Sequence, residues 1–313
     1  MGTSTVSTAI QTASAIVGDA WSVLVLREVL LLHRRRFVDF RNALGLDRST
    51  LSSRLRQLVA AGLLERAASG SSQEQSEYVP TDDALAYVPV LLCMLQWSRR
   101  WEVDPNDDSL LEVRHESCGG WLDTTLTCQS CRGRVDARSV AVEQPGPSVL
   151  RPRPRTRHRA PRFDLLERAG PCPIARYLSG MGDRWSVLLV QEAFFGVHEF
   201  DAFQQRLAIA PNILSDRLSR FCERGILEKR PPSEGRRRGY FLTEKGLELY
   251  PVAAMLRQWA IEIRGIEEPL AYSHRWCGAR LALALSCTRC GEEANSSSIE
   301  VRVPEHVSRT TTK

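Results

Sequence analysis

The chain reads as an α+β protein built from two tandem winged helix-turn-helix domains, each followed by a small ribbon-like β segment. Three observations predict this. The pattern Gly-Asp-x-Trp-Ser-Val-Leu occurs twice, starting at Gly18 and at Gly182, 164 residues apart. The sequence around each copy also matches, so the chain is two versions of one repeat. Each repeat then ends with His-x-x-Cys, nine residues, and Cys-x-x-Cys.

Each repeat shows the same order of elements. A helical stretch contains Trp21 or Trp185 and continues through Leu24, Leu26 and Leu30, or Leu188, Leu189 and Phe194. A short helix follows, with Phe37, Phe40 and Leu44 matched by Phe200, Phe203 and Leu207. After a break at residues 45–47 or 208–210, a further helix carries Leu51, Leu55 and Leu58, matched by Leu214, Leu218 and Phe221. That spacing gives one buried stripe and one exposed face. Gly62 and Gly225 end these helices. Two strands joined by a polar loop come next, 63–66 with 77–81 and 226–230 with 239–243, each pair a hairpin. A longer amphipathic helix closes the repeat near Trp97 or Trp259. Thr81 or Thr243 can cap it. Pro89 and Pro251 predict a kink or break inside it.

Length and composition agree with this division. A chain of 313 residues suits about two domains. Its 43% hydrophobic and 25% charged content is that of a globular protein. No apolar run approaches the ~20 residues of a membrane helix. Residues 1–15 lack the basic stretch and apolar core of a signal peptide. The expected compartment is the cytoplasm, with no membrane partner. The expected boundaries are 1–105 for the first winged helix and 106–142 for its ribbon. A Pro/Arg-rich linker covers 143–162. The second winged helix covers 163–268, its ribbon 269–303, and a tail 304–313. The net charge of +5 is mild, but the linker reads RPRPRTRHRAPR at 151–162, with six arginines and no acid. These arginines can hold DNA electrostatically or serve as a soluble spacer.

Several motifs give a resemblance to the HxlR family of bacterial winged-helix regulators. They are clearest in the second repeat: Cys172-Pro173-Ile174, Gly182-Asp183-Arg184-Trp185-Ser186-Val187-Leu188, Phe200-x-x-Phe203, Leu214-Ser215-x-Arg217-Leu218 and Tyr240-x-Leu242-Thr243-x-x-Gly246. The first repeat keeps Leu51-Ser52-x-Arg54-Leu55, but has Thr8 in place of Cys172 and Pro80 in place of Leu242. The resemblance implies binding to double-stranded DNA by a dimer built from the first and last helices. Most members have one such domain, so two repeats in one chain suggest an intramolecular pseudo-dimer, with a homodimer as the other form. The resemblance also permits a redox-sensing role for Cys172.

A helix-turn-helix puts the N-terminal end of its second helix into the major groove. In the first repeat the exposed residues there are Arg48, Ser49, Ser52, Ser53 and Arg56, with Asp47 as the cap. Arginine can bond guanine twice, and serine meets several base edges. In the second repeat Pro211 starts the helix, and Asn212, Ser215, Asp216 and Ser219 are exposed. Asp216 repels phosphate and must accept from cytosine or sit off the groove. Arg54 and Arg217 occupy equivalent places and are candidate phosphate contacts. The second wing, PPSEGRRRGY, carries Arg236, Arg237 and Arg238 for the DNA backbone. The first wing has no base between Ala67 and Tyr78, which leaves open that the first repeat docks to protein instead.

Nine cysteines in a cytosolic chain suit thiols or metal ligands better than disulfides. His115, Cys118, Cys128 and Cys131 form one expected set, and His274, Cys277, Cys287 and Cys290 the other. Three thiolates and an imidazole suit tetrahedral zinc, so two structural ions in two zinc-ribbon-like segments are expected. Gly119, Gly278 and Gly291 follow their cysteines and permit a tight turn; Arg132 breaks the habit. Cys93 and Cys222 fall on apolar faces and read as packing. No phosphate-cradling glycine loop, dinucleotide fingerprint or His-Glu-x-x-His is present, so an enzyme is not expected. The sum is a cytoplasmic, sequence-specific DNA-binding transcription regulator.

Overall fold

A computed structural model describes residues 8–67, 76–104, 111–143, 172–231, 239–266, 268 and 270–302. Linker positions 144–162, the tail, and Arg236, Arg237 and Arg238 lie outside the described residues.

The chain forms two compact units, and they do not follow the linear boundaries expected from the repeats. The first unit takes residues 16–125, 160–182 and 284–313. The second takes 1–15, 126–159 and 183–283. Each unit therefore holds one winged helix completed by segments from the other repeat. The physical reason is equivalence: two near-identical repeats offer near-identical faces, so a terminal helix or strand fits the other copy's winged helix as well as its own.

In the first unit α2 (Ala20–Leu30), α3 (Phe37–Leu44) and α4 (Arg48–Ala60) make the helical part. Leu51, Leu55 and Leu58 are fully buried on α4. Each contributes roughly 1.5–3 kcal/mol through burial, which fixes the face that α4 turns outward. Asp47 caps α4 by accepting from the Thr50 backbone N–H at 2.8 Å. The wing pairs β1 (Leu64–Ala67) with β2 (Glu77–Pro80) antiparallel, from Leu64↔Pro80 to Ala67↔Glu77. Thr81 caps a single turn, α5 (Asp82–Leu85), and α6 (Val88–Trp101) starts afresh with Pro89 in its first turn. The proline thus marks a break, since its missing N–H is tolerated there. Strand β3 (Glu112–His115) and, from the other repeat, α7 (Pro173–Met181) complete the unit. Tyr177 of α7 meets Trp97 of α6 edge to face at 5.6 Å.

The second unit repeats this plan. It has α8 (Arg184–Phe194), α9 (Phe200–Leu207), α10 (Pro211–Glu223), β6 (Leu227–Arg230), β7 (Gly239–Leu242), the turn α11 (Glu244–Leu247) and α12 (Tyr250–Arg264). Its wing register runs from Leu227↔Leu242 to Arg230↔Gly239. Residues of α1 (Ala9–Val17) up to Ala15 join this unit. Two ribbon pairs complete the units. β3 pairs with β10 (Ile299–Arg302) in the first, and β5 (Val140–Glu143) with β8 (Ala271–His274) in the second. Strands β4 (Thr124–Cys128) and β9 (Leu283–Cys287) lead into the Cys-x-x-Cys turns.

The turn between the two short helices differs between copies. Gly45 and Ala208 both take left-handed backbone, with φ of 61° and 48°. Glycine does this freely, whereas a Cβ costs roughly 1–2 kcal/mol. Ala208→Gly is expected to stabilise the second unit by about 0.5–1 kcal/mol, read as a raised denaturation midpoint. An unchanged or lowered midpoint would show that no strain resides there.

Candidate nucleic-acid interface and metal centres

The N-terminal turns of α4 and α10 carry the candidate groove residues. Arg48, Ser49 and Arg56 are exposed, while Ser52 and Ser53 are half-buried. Asn212, Ser215, Asp216 and Ser219 are exposed on α10. Ser49 donates to Asp47, and Arg56 Nε donates to the Ser52 carbonyl at 3.3 Å. Asp216 accepts from Arg217 at 2.9 Å and from Arg220 at 3.2 Å, so its charge is compensated on the helix surface.

Arg54 and Arg217, the candidate phosphate contacts, each sit against an acid of their own unit. Arg54 is 14% exposed and its Nε sits 3.1 Å from Asp19. Arg217 is 12% exposed, with Nε 3.2 Å from Asp183. Both acids are the Asp of the Gly-Asp-x-Trp pattern, and both cap the helix they precede. Asp19 accepts from the Ser22 N–H, and Asp183 from the Trp185 and Ser186 N–H groups. Each acid therefore ties the cap of one helix to the flank of α4 or α10. The spacing of 34 or 35 residues between partners hides this link from any local reading of the helix.

The cysteine and histidine residues come together in two groups. One is His115, Cys118, Cys287 and Cys290, and the other Cys128, Cys131, His274 and Cys277. In each group the ligand atoms all lie within 4.8 Å of one another. This partition differs from the one expected from spacing: each group takes His-x-x-Cys from one repeat and Cys-x-x-Cys from the other. Each group nonetheless lies within one compact unit.

The geometry suits a tetrahedral ion. In the first unit His115 Nδ1 is 3.2 Å from Cys290 Sγ and 3.7 Å from Cys118 Sγ, and Cys118 Sγ is 4.0 Å from Cys287 Sγ. In the second, His274 Nδ1 is 3.3 Å from Cys131 Sγ and 3.5 Å from Cys277 Sγ, with Cys128 and Cys277 at 3.9 Å. A tetrahedron with ~2.3 Å zinc–sulfur bonds has edges of about 3.8 Å. His115 Nε2 lies 3.3 Å from the Glu293 carbonyl, a contact that directs Nδ1 to the cluster. The Cys118 thiol is pulled down to about 7, chiefly by the Gly120 backbone N–H and then by His115.

Four tight turns shape the groups. The residues after Cys118, Cys131, Cys277 and Cys290 have φ of 63°, 59°, 68° and 77°. In each turn that residue's N–H donates back to the first residue of the motif: Gly119 to His115 and Gly278 to His274 at 2.8 Å, Arg132 to Cys128 at 2.7 Å, and Gly291 to Cys287 at 2.9 Å. Arg132 thus adopts the glycine conformation despite its side chain. A feature not foreseen from sequence docks the ribbons. The Gln96 amide bonds both the N–H and the carbonyl of Thr124, at 3.0 and 2.8 Å. Gln258 does the same to Leu283, at 2.7 and 2.6 Å. The signal for it was the Gln-Trp pair shared by both closing helices.

Cys172 is 4% exposed at the start of α7. Arg27 and Arg99 both interact electrostatically with it, and Arg168 lies outside the described residues. Burial alone would depress the Arg27 guanidinium, but Cys172 and Glu28 outweigh it and hold its pKa above the ordinary value. Cys93 is buried and pushed up to about 12 by that burial, as packing requires. No single helix among the described residues is long and apolar enough to cross a membrane.

Comparison with known proteins adds the following. A family model for the HxlR-like helix-turn-helix matches residues 16–105 and 180–267. An uncharacterised HTH-type transcriptional regulator of Mycobacterium bovis, Mb3122, is 36% identical over 135 residues, covering 43% of this chain and 84% of the relative. Rv3095 of Mycobacterium tuberculosis, described in the same words, matches to the same extent. Among solved structures, PA1607, a candidate transcription factor, is 32% identical over 44% of this chain and 98% of its own, with a TM-score of 0.39. PA1374 of Pseudomonas aeruginosa, also a candidate transcription factor, is 29% identical over 43% and 88%, with a TM-score of 0.28.

Proposed function

Because the chain belongs to the HxlR-like helix-turn-helix family of transcription regulators, we propose that it binds double-stranded DNA through α4 and α10 in the major groove. The reading rests on one observation. Each unit buries one stripe of this helix, Leu51, Leu55 and Leu58 or Leu214, Leu218 and Phe221, and leaves a polar N-terminal turn exposed, Arg48 and Ser49 in one, Asn212 and Ser215 in the other. The Arg236–Arg238 run falls in sequence between β6 and β7, and we assign it to the phosphate backbone. Arg54 and Arg217 act behind the surface, holding the reading helices in place. One chain carries both readers, so one chain per duplex site is the expected stoichiometry. The reading contains no catalytic step, and the cytoplasm is the compartment where it operates.

Zinc at each Cys₃His group would be structural. Four protein ligands leave no open position, and the ion would brace the ribbon that Gln96 or Gln258 clamps to the last helix of its unit.

The test is duplex binding across a salt series. Arg48→Ala is expected to lose about 1–3 kcal/mol at one base position while sparing unrelated duplexes. The triple variant Arg236→Ala, Arg237→Ala, Arg238→Ala is expected to weaken every duplex and flatten the salt slope by ~0.9 per lost phosphate contact. If both variants bind as the parent does at low and high salt, the helices and wing do not meet DNA.

A further inference from the structure

The two units are internal controls for each other, and their closing helices differ in sequence beside a cavity of the second. In the second unit a cavity of about 70 Å³ lies beneath α12. Its walls include Ile10, Val140, Phe194, Tyr250, Ala254 and Tyr272. Aligning Val88-Pro89-Val90 of α6 with Tyr250-Pro251-Val252 of α12 pairs the closing helices without a gap through Trp97 and Trp259. On that alignment Ala253, Ala254 and Arg257 stand where the first unit has Leu91, Leu92 and Leu95. Those three leucines are buried. Each leucine-to-alanine difference removes three carbons, while Tyr250 in place of Val88 and Arg257 in place of Leu95 line the space that is left.

The lining shows what would fit. Aliphatic and aromatic side chains share the lining: Phe194 and Tyr250 meet edge to face at 5.5 Å, and Tyr272 forms another wall. Arg257 brings a charge, but that charge is already met. Its guanidinium lies 3.8 Å over the Tyr272 ring and its Nε 3.3 Å from Glu268, with both side chains under 10% exposed. An anionic ligand would have to compete with Glu268 for the arginine, and a cationic one would meet the guanidinium. The rim residues Phe194, Ala253 and Val142 are half-buried, so the cavity is reached from the surface. The volume is far below the ~300–1,000 Å³ of sites for drug-sized ligands.

We propose that this cavity is a binding site for an uncharged, single-ring aromatic molecule carrying one hydrogen-bonding group. The ring packs against Phe194, Tyr250 and Tyr272, and the polar substituent reaches the tyrosine hydroxyls or the outer face of Arg257. The occupant bridges α12, α8 and the β5–β8 ribbon, so it stiffens the joint between the ribbon and the winged helix of the second unit. The first unit, filled by its leucines, does not bind.

The test uses the full chain and 4-bromophenol as probe, followed by calorimetric titration and by anomalous scattering from bromine in soaked crystals. Saturable binding of one molecule per chain is expected, with bromine beneath α12. Ala253→Leu with Ala254→Leu, which restores the first unit's residues, is expected to weaken it at least about tenfold. Should that variant misfold, judged by circular dichroism, the smaller change Ala254→Val is read the same way. 4-Bromobenzoate is expected to bind more weakly than the phenol. Absence of saturable binding, binding indifferent to the filling substitutions, or bromine located elsewhere would overturn the site. Equal or tighter binding of the benzoate would overturn the uncharged class.

Discussion

The pair His115→Ala with Cys287→Ser is expected to leave one zinc per chain, whereas His115→Ala with Cys128→Ser leaves none. The structure puts His115 and Cys287 in one group and Cys128 in the other. The first double variant therefore damages one site twice, and the second damages both sites once. Pairing within repeats predicts a different result: His115 and Cys128 would share a site, and their loss would spare the other ion. Native mass spectrometry counts the ions directly. The stability effect is large, because structural zinc in small finger peptides supplies about 10–16 kcal/mol of apparent binding energy near neutral pH. Here an ion would be held by segments that also pair through β3–β10 or β5–β8, so a unit that loses it is expected to lose its ribbon order first. A chelator strong enough to strip both ions should lower the melting temperature of the parent by more than that of the one-site variant. Retention of one ion by His115→Ala with Cys128→Ser would overturn the cross-repeat assignment.

The cross-pairing also shows where sequence reasoning reaches its limit. His-x-x-Cys and Cys-x-x-Cys mark which residues can chelate, and all eight residues of the two groups were legible in the spacing. Which halves meet was not legible, because two equivalent repeats satisfy the same local rules either way. Helices α1 and α7 were not read from the sequence, and the unit each joins depends on contacts far along the chain. Local features transferred well. The burial stripe of α4 and α10, the Thr81 and Thr243 caps, and the breaks before Pro89 and Pro251 all depend on residues within one or two turns. The cavity beneath α12 was invisible for another reason: Ala253 and Ala254 read as ordinary helix residues until their leucine counterparts are seen to fill space.

Asp183→Ala is expected to destabilise the second unit by about 3 kcal/mol, and Arg217→Ala to destabilise it without changing the salt slope of DNA binding. Asp183 accepts from the Trp185 and Ser186 N–H groups at 3.0 and 3.2 Å and from the Ser186 hydroxyl at 2.7 Å. Losing such a cap costs roughly 0.5–2 kcal/mol. The acid also meets Arg217, and stripping one partner from a buried pair costs about 3–5 kcal/mol when the remaining charge has no other partner. Arg217 keeps Asp216 at 2.9 Å, which places the total nearer the lower figure. In the first unit Arg54 pairs with Asp19 and also donates to Gln57 at 2.8 Å, and Asp19→Ala is expected to destabilise that unit by a similar amount. A double-mutant cycle on Asp183 and Arg217 isolates the pair, and a coupling of about 1 kcal/mol or more is expected from groups in direct contact. The alternative role for Arg217, a direct phosphate contact, predicts the reverse pattern: unchanged stability, and a salt slope lowered by ~0.9. Denaturation and salt titration of the single variant Arg217→Ala separate the two roles. A buried arginine cannot release a counterion from DNA that it does not touch, so the slope is the measurement that decides.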